Sequence, residues 1–404
     1  MKLFYSIGVG CYVFAIKIAS IWSSKAKKWV EGRKNVWDKL ETFKPQGNVV
    51  WFHCASLGEF EQGRPIMEKL KKDTSCQIVL SFFSPSGYEI KKNYKTADLV
   101  VYLPVDSKKN AQRFLKAIQP KQIYFVKYEF WANYITEAFK LKIPIYSVAA
   151  LFREKQIFFK FYGAYMRGVL EKFTTIFVQN SNSQKLLETI ELKSIVCGDP
   201  RYDRVLENAE KVEEYIEIEN FLQGKKTFIC GSIWQHDLSV LKEKINTLKD
   251  WKIIIAPHEI KSSFIHEIID QIDLPSVQYS VLNEARLDAN VLIIDNVGML
   301  MNVYQYGHIA YVGGGLKTGL HNILEPAAFG LPVIFGNKTY KFPEASHFVD
   351  AEIGFQIEDK EDFDRFFDEL SQLDISNKVK AFMQSRKGAT KIVLNEVNSS
   401  FFID

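Results

Sequence analysis

Tyr311–Phe348 reads YVGGGLKTGLHNILEPAAFGLPVIFGNKTYKFPEASHF, and the fold class follows from it. An apolar run ends at Val312, Gly313 to Gly315 let the backbone turn and approach a ligand without Cβ clashes, and Asn322 stands where a helix would begin. Glu325 and Pro326 fall in the expected first turn, and Gly330 and Pro332 close the helix before a strand at 333–335. This order predicts one βα unit of a parallel sheet, with free amides at the helix start facing an anionic, phosphate-bearing group. A Walker loop is excluded, because it needs a glycine directly before its Lys-Ser/Thr pair and Leu316 precedes Lys317 and Thr318. A dinucleotide fingerprint fits poorly, since GxGxxG should follow an early strand and this triple glycine comes late. For the glycines alone, an ordinary strand-to-helix turn stays open.

Outward from this unit the same grammar repeats. Strand-like runs at 49–54, 77–83, 99–103, 122–126, 145–149 and 175–178 alternate with amphipathic segments, pause at 198–208, and resume at 227–230, 252–256, 291–294 and 308–312. Alternation of this kind predicts parallel sheets with helices on both faces and ligands beyond the carboxyl ends of the strands. At 404 residues the chain exceeds one usual core, so two doubly wound domains facing one another across a cleft are expected. The expected bounds are 1–24 for an N-terminal segment, 25–200 and 201–375 for the two domains, and 376–404 for a tail packing back on the first domain.

The formal net charge of +4 is small for this length, which argues against a nucleic-acid partner. Five cysteines without CxxC spacing predict no zinc site or disulfide framework, and no metal-ligand cluster is visible. The N-terminus departs from this soluble picture. Residues 3–16 are almost wholly apolar, Lys17 interrupts, 18–22 resume, and Lys25, Lys27, Lys28, Arg33 and Lys34 follow. A membrane anchor with snorkelling Lys17 and a cytoplasmic remainder is the expectation. A cleaved signal peptide fits less well for want of a small-x-small site, and a buried helix of a soluble domain stays open.

Two acidic constellations sit at carboxyl ends of predicted strands. Ser56-Leu57-Gly58-Glu59 follows the run 49–54, with Gly58 permitting a sharp turn and Glu59 delivered as a general base. Glu129, in Lys127-Tyr128-Glu129-Phe130-Trp131, follows the run 122–126 and supplies a second carboxylate to orient the acceptor or stabilise positive charge. Glu61 is the less favoured base, and Arg153 is a third polar residue on that edge. A glutamate that only offsets a helix dipole stays open for both sites. In the second half, Gly231-Ser232 and Pro257-His258-Glu259 follow strands, so that Ser232 and His258 can reach a phosphate or base; a structural histidine is the alternative.

With these pieces in order, the chain resembles 3-deoxy-D-manno-octulosonic acid (Kdo) transferases, membrane-associated glycosyltransferases of lipopolysaccharide assembly with the two-domain GT-B architecture. The likeness rests on Ser56-Leu57-Gly58-Glu59, Glu129-Phe130-Trp131-Ala132-Asn133, Gly198-Asp199-Pro200-Arg201-Tyr202-Asp203, Gly231-Ser232, and Gly313-Gly314-Gly315 with His321-Asn322-Ile323-Leu324-Glu325-Pro326-Ala327. It implies CMP-Kdo as donor substrate with no further cofactor, a lipid A precursor as acceptor, and the cytoplasmic face of a bacterial inner membrane as location. It implies Glu59 as catalytic base and Glu129 as an acceptor-side acid, with Ser232, His258, Gly314, Asn322 and Glu325 around the CMP moiety. Ser56, Gly58, Arg153 and Lys317 are the further substrate-binding candidates. Three positions depart from the family: Lys127 replaces an acidic residue, Ala132 a proline, and Ala256-Pro257-His258-Glu259 the usual Pro-Arg-His-Pro, leaving Lys261, Lys317 or Lys338 to supply the missing phosphate charge. A GT-B enzyme using a UDP-sugar, or a catalytically silent nucleotide-binding module at the membrane, are the alternative readings.

Overall fold

A computed structural model describes residues 2–283 and 286–401, in two compact units. One unit runs to Asp203 and takes in the C-terminal segment from Gly388; the other is Arg204–Lys387. Each is built on one seven-stranded sheet, and the strand pairs are parallel throughout both. The first sheet holds β1 (Val49–Cys54), β2 (Gln77–Phe82), β3 (Leu99–Tyr102), β4 (Gln122–Val126), β5 (Ile145–Ala150), β6 (Thr175–Val178) and β7 (Ile195–Val196). The second holds β8 (Thr227–Ile233), β9 (Lys252–Pro257), β10 (Ser276–Gln278), β11 (Val291–Ile293), β12 (Ile309–Val312), β13 (Val333–Gly336) and β14 (Gly354–Ile357).

Strand order fixes where each unit offers a site. The first sheet runs β3-β2-β1-β4-β5-β6-β7, so the chain reverses its lateral direction between β1 and β4. The second runs β10-β11-β9-β8-β12-β13-β14, with the reversal between β8 and β12. Helices that follow the two flanking strands leave on opposite faces, and the crevice at their carboxyl ends is the usual ligand position of doubly wound sheets. Residues after β1 carry Glu59, and those after β4 carry Glu129; residues after β12 are the triple glycine.

Every β1 residue is buried, and successive side chains part to opposite faces. Val49 and Trp51 join one core cluster, Val50, Phe52 and Cys54 the other, so the sheet is covered on both sides. In β8, Phe228 and Cys230 face one cluster and Ile229 the other. Three strands were not expected from sequence. Ile195–Val196 has two residues, Ser276–Gln278 is polar at both ends, and Gly354–Ile357 opens on a glycine held in place because a Cβ there would meet Phe348 at 2.6 Å.

The tail divides, which corrects the expected 376–404 bound. Helix Ser376–Ser385 belongs to the second unit, whereas helix Ala389–Phe401 buries Val393 and Val397 in the first. The Gly198–Asp203 motif explains the return: Asp203 accepts from the Gly388 and Thr390 amides at the start of the last helix. Asp199 is buried, and although burial raises a carboxyl, the Arg201 guanidinium and the Gln62 amide hold it below its ordinary value.

At the N-terminus, Lys2–Ala19 is an eighteen-residue helix with mean hydropathy 1.4, long and apolar enough by length and composition to cross a membrane. It lies along the first unit. The Tyr5 hydroxyl donates to Asp106 Oδ2 at 2.6 Å, and Tyr12 stacks on Phe83 at 6.0 Å.

Candidate active site

The first switch point is built by the turns after β1 and β4. Ser56 is extended and caps helix Leu57–Asp73, and Glu59 lies in the first turn, half-buried. The Ser56 hydroxyl donates to Glu59 Oε2, fixing one oxygen of that carboxylate. Gly58 is helical and exposed, with only Ser56 Oγ, at 3.8 Å, near a Cβ built on it. The expected sharp turn at Gly58 is therefore absent; the residue instead leaves open space beside Ser56 and Glu59. Glu61 is engaged by Arg64 at 3.6 Å and Lys91 at 3.3 Å, so it is less available than Glu59.

Because β1 and β4 are hydrogen-bonded neighbours, their emerging carboxylates share one environment. Burial first, then the fields of Glu59, Glu129 and Glu61, push the Cys54 thiol far up. Tyr128 is raised by burial, lowered by Arg153 and raised by Glu59, which puts both charges beside its ring. The Arg153 guanidinium lies 5.9 Å from the ring centroid and the Lys127 ammonium 5.4 Å, with Lys127 in a left-handed conformation at φ 66°. Ser56, Gly58, Glu59, Glu129 and Arg153 thus lie around one sheet edge.

Glu129 is held by residues that sequence reasoning did not select. Its Oε2 accepts from Trp131 Nε1 at 2.6 Å and lies 3.0 Å from His53 Nε2. His53, fully buried, places Nδ1 2.8 Å from Ser81 Oγ, and Ser81 accepts from Trp51 Nε1 at 2.8 Å. His53 Nε2 also lies 3.0 Å from Trp131 Nε1, so imidazole, indole and the Glu129 carboxylate meet in one cluster. One Glu129 oxygen is thereby saturated and the other left for a ligand. The available signal was a lone histidine within the apolar run Val49–Cys54.

The second switch point is built by the turns after β8 and β12. Ser232 sits inside β8 rather than after it, half-buried and left-handed at φ 54°, where the register to β9 shifts. That bulge lets Gly313 pack against it: a Cβ on Gly313 would meet Ser232 O at 2.3 Å and Asp237 Oδ2 at 2.8 Å. Gly314 has φ 88°, a left-handed conformation that disfavours a side chain. Asp237, fully buried and unselected by sequence, accepts from Trp234 N at 2.8 Å, Gly314 N at 3.1 Å and Tyr311 OH at 2.8 Å. It welds the two turns together.

Above them lies a stack of three rings. His258 and His321 are 4.2 Å apart at 22°, Trp234 and His258 4.5 Å apart, and Trp234 Nε1 donates to His321 Nε2 at 3.0 Å. Burial first, then the neighbouring His258, lowers the His321 imidazole to about 4, and burial lowers His258 as well, so both rings are neutral at pH 7. Asn322 needs correction. Its helix is the short Leu324–Ala328, and the Asn322 carbonyl oxygen accepts from the Leu324 amide at 3.2 Å while its amide donates to Glu325 at 2.9 Å. The first amide of that helix is capped by side chain rather than left for an anion. Lys317 is exposed in the same loop.

Among the described residues, no group of three or more His, Cys, Asp or Glu is arranged to hold a metal ion.

Comparison with known proteins follows from this geometry. A UDP-N-acetylglucosamine 2-epimerase from Neisseria meningitidis, solved with UDP-GlcNAc, superposes with TM-score 0.59 over 87% of this chain and 100% of its own, at 16% identity. Acinetobacter baumannii MurG superposes with TM-score 0.56 over 87% and 100%, at 12% identity. These likenesses give the fold, two doubly wound units of the GT-B class. In sequence, the chain is 29% identical over 328 residues to a bifunctional glycosyltransferase/methyltransferase of Fusobacterium nucleatum, matching 78% of this chain and about half (51%) of that longer protein. It is 27% identical to the Aquifex aeolicus 3-deoxy-D-manno-octulosonic acid transferase, over 86% of this chain and 92% of that one, and 26% identical to the Haemophilus influenzae transferase, over 81% and 79%. The family model for 3-deoxy-D-manno-octulosonic-acid transferases matches residues 30–204, the segment that contains Glu59, Glu129 and the His53 relay. The chain is thus similar to Kdo transferases over most of its length, and 30–204 matches their family model.

Proposed function

We propose that this protein transfers Kdo from CMP-Kdo to a lipid A precursor in lipopolysaccharide assembly, with inversion at the anomeric carbon and without a metal. The carrying observation is that Glu59 and Glu129 emerge from adjacent strands at the switch point of the first sheet. Glu59 removes the proton from an acceptor sugar hydroxyl, whose oxygen bonds to C2 of Kdo as the bond from C2 to the CMP phosphate oxygen breaks and its electron pair leaves with CMP. Glu129, fixed by Trp131 and His53, meets positive charge developing on the Kdo ring with its second oxygen.

The second unit takes the donor. Ser232, Gly314 and the neutral rings of His258 and His321 offer polar contacts and flat faces to the nucleotide, while Asn322 and Glu325 form a paired rim. Lys317, exposed in the glycine loop, supplies charge for the phosphate in place of the family's arginine. The N-terminal helix and the following lysines hold the first unit at an anionic membrane surface, on the cytoplasmic side, where the acceptor resides.

Incubation of the detergent-extracted protein with CMP-Kdo and a tetraacylated lipid A precursor, followed by mass analysis of the lipid, tests this reading. A mass increase of one or more Kdo units is expected. Transfer from a UDP-sugar, with UDP but not CMP competing for the protein, would replace it by the other GT-B reading; CMP binding with no transfer would support a silent module.

A further inference from the structure

We propose that a trough along the N-terminal helix holds one acyl chain of the lipid acceptor, delivering its sugar head to Glu129. This rests on the lipid-acceptor reading above. The helix Lys2–Ala19 has no fully buried residue, yet Tyr5, Val9, Val13 and Ile16 recur at helical spacing as half-buried positions turned to the first unit. Between that stripe and the unit lie three cavities of about 300, 380 and 340 Å³. They share walls: Tyr12, Trp29 and Phe83 line the first and second, and Tyr5 and Trp131 the second and third. The three cavities therefore adjoin one another beside the helix, in a row from Ile16 to Glu129.

Its chemistry selects the occupant. The outer wall is aromatic, with Trp29 and Phe83 at 5.6 Å and Phe83 and Trp131 stacked at 4.9 Å. The one carboxylate in the middle stretch, Asp106, already accepts from the Tyr5 hydroxyl at 2.6 Å and from the Asn133 and Tyr134 amides at 3.2 Å each. A sugar or peptide there would bury polar groups without partners, whereas a hydrocarbon chain would not. Apart from Asp106 and tyrosine hydroxyls, the polar side chains stand towards the two ends: Ser23, Lys25 and Ser84 at one, Glu129 and Gln156 at the other. A chain bound with its head at Glu129 therefore belongs to the molecule that Glu129 acts on, not to bulk lipid. Gly8 lines the middle cavity, and a Cβ built on it meets nothing within 4 Å. The helix gains nothing from a glycine here, since glycine is a poor helix former.

Gly8→Leu in the full chain puts a branched side chain at the wall of the middle cavity, where a Cβ meets no neighbour within 4 Å. The ratio of kcat/KM for the tetraacylated acceptor to that for its fully deacylated disaccharide should fall at least tenfold, about the loss of two buried methylenes. An unchanged ratio overturns the proposal. A second measurement does not depend on turnover: an acceptor analogue with a photoreactive acyl chain should crosslink to peptides containing Trp29 or Phe83 in the wild type and far less in Gly8→Leu. Crosslinking elsewhere, or equal labelling of those peptides by a photoreactive diacyl phospholipid, also overturns it. If neither acceptor is converted by the wild type, the transfer reading fails and the crosslink alone decides the trough.

Discussion

The two switch points share a topology and differ in chemistry. Each lies where a seven-stranded parallel sheet reverses direction, yet the first surrounds its crevice with carboxylates and a buried hydrogen-bond chain, and the second with glycine turns and neutral rings. In the first, a buried serine and histidine orient an acid, a device for handling protons and positive charge. In the second, a buried aspartate ties down backbone so that flat and polar surfaces face a ligand. The fold supplies the position, and a few side chains set what happens there.

The contrast breaks most visibly at Glu59. Glu59→Gln should lower kcat about a thousandfold, within the range for loss of a general base, when Kdo transfer to lipid is followed by mass. Next comes Asp237→Ala, which strands three donors in the interior of the second unit. A stability loss of about 3 kcal/mol or more is expected by urea denaturation, with CMP affinity falling in parallel; a change under about 1 kcal/mol would mean the turns are held otherwise.

His53 gives a finer probe. Glutamine places its amide nitrogen near the imidazole Nε2 and keeps a donor to Glu129, whereas asparagine reaches only Ser81. His53→Asn should lose about tenfold in kcat and His53→Gln much less, both with unchanged donor KM; equal losses in the two would reduce His53 to packing. The smallest effect is a pH slope. His321 is lowered to about 4 from an ordinary value near 6.5, so the unfolded chain binds the proton more readily. Its contribution is complete above about pH 6.5 and is lost as pH falls towards 4. His321→Gln should flatten the fall in urea midpoint over that window, and an identical fall in both proteins would contradict the assignment.

Much of this was legible in the sequence, for physical reasons that also mark where legibility stops. Runs such as 49–54 and 122–126 announced buried parallel strands because both faces are covered, and Glu59 and Glu129 were found because carboxylates just past such strands reach the crevice. The glycines at 313–315 are expected to bring backbone close to a ligand, whereas the close approach the structure shows is to Asp237, which lies 77 residues from Gly314. His53 to Glu129 spans 76 residues and His53 to Ser81 spans 28, so those partnerships exist only once strand order brings them together. Asn322 is expected at the start of a helix, and the five-residue helix begins two residues later, with its first amide bound to the Asn322 side chain, a local contact that residue type alone does not specify.

The division of labour between the two regions is tested most directly by titrating CMP into Glu59→Gln by calorimetry. The account predicts a Kd equal to that of the wild type within about twofold, in a protein that makes no Kdo-lipid. A Kd weakened tenfold or more, about 1.4 kcal/mol, would place Glu59 in donor binding and contradict it.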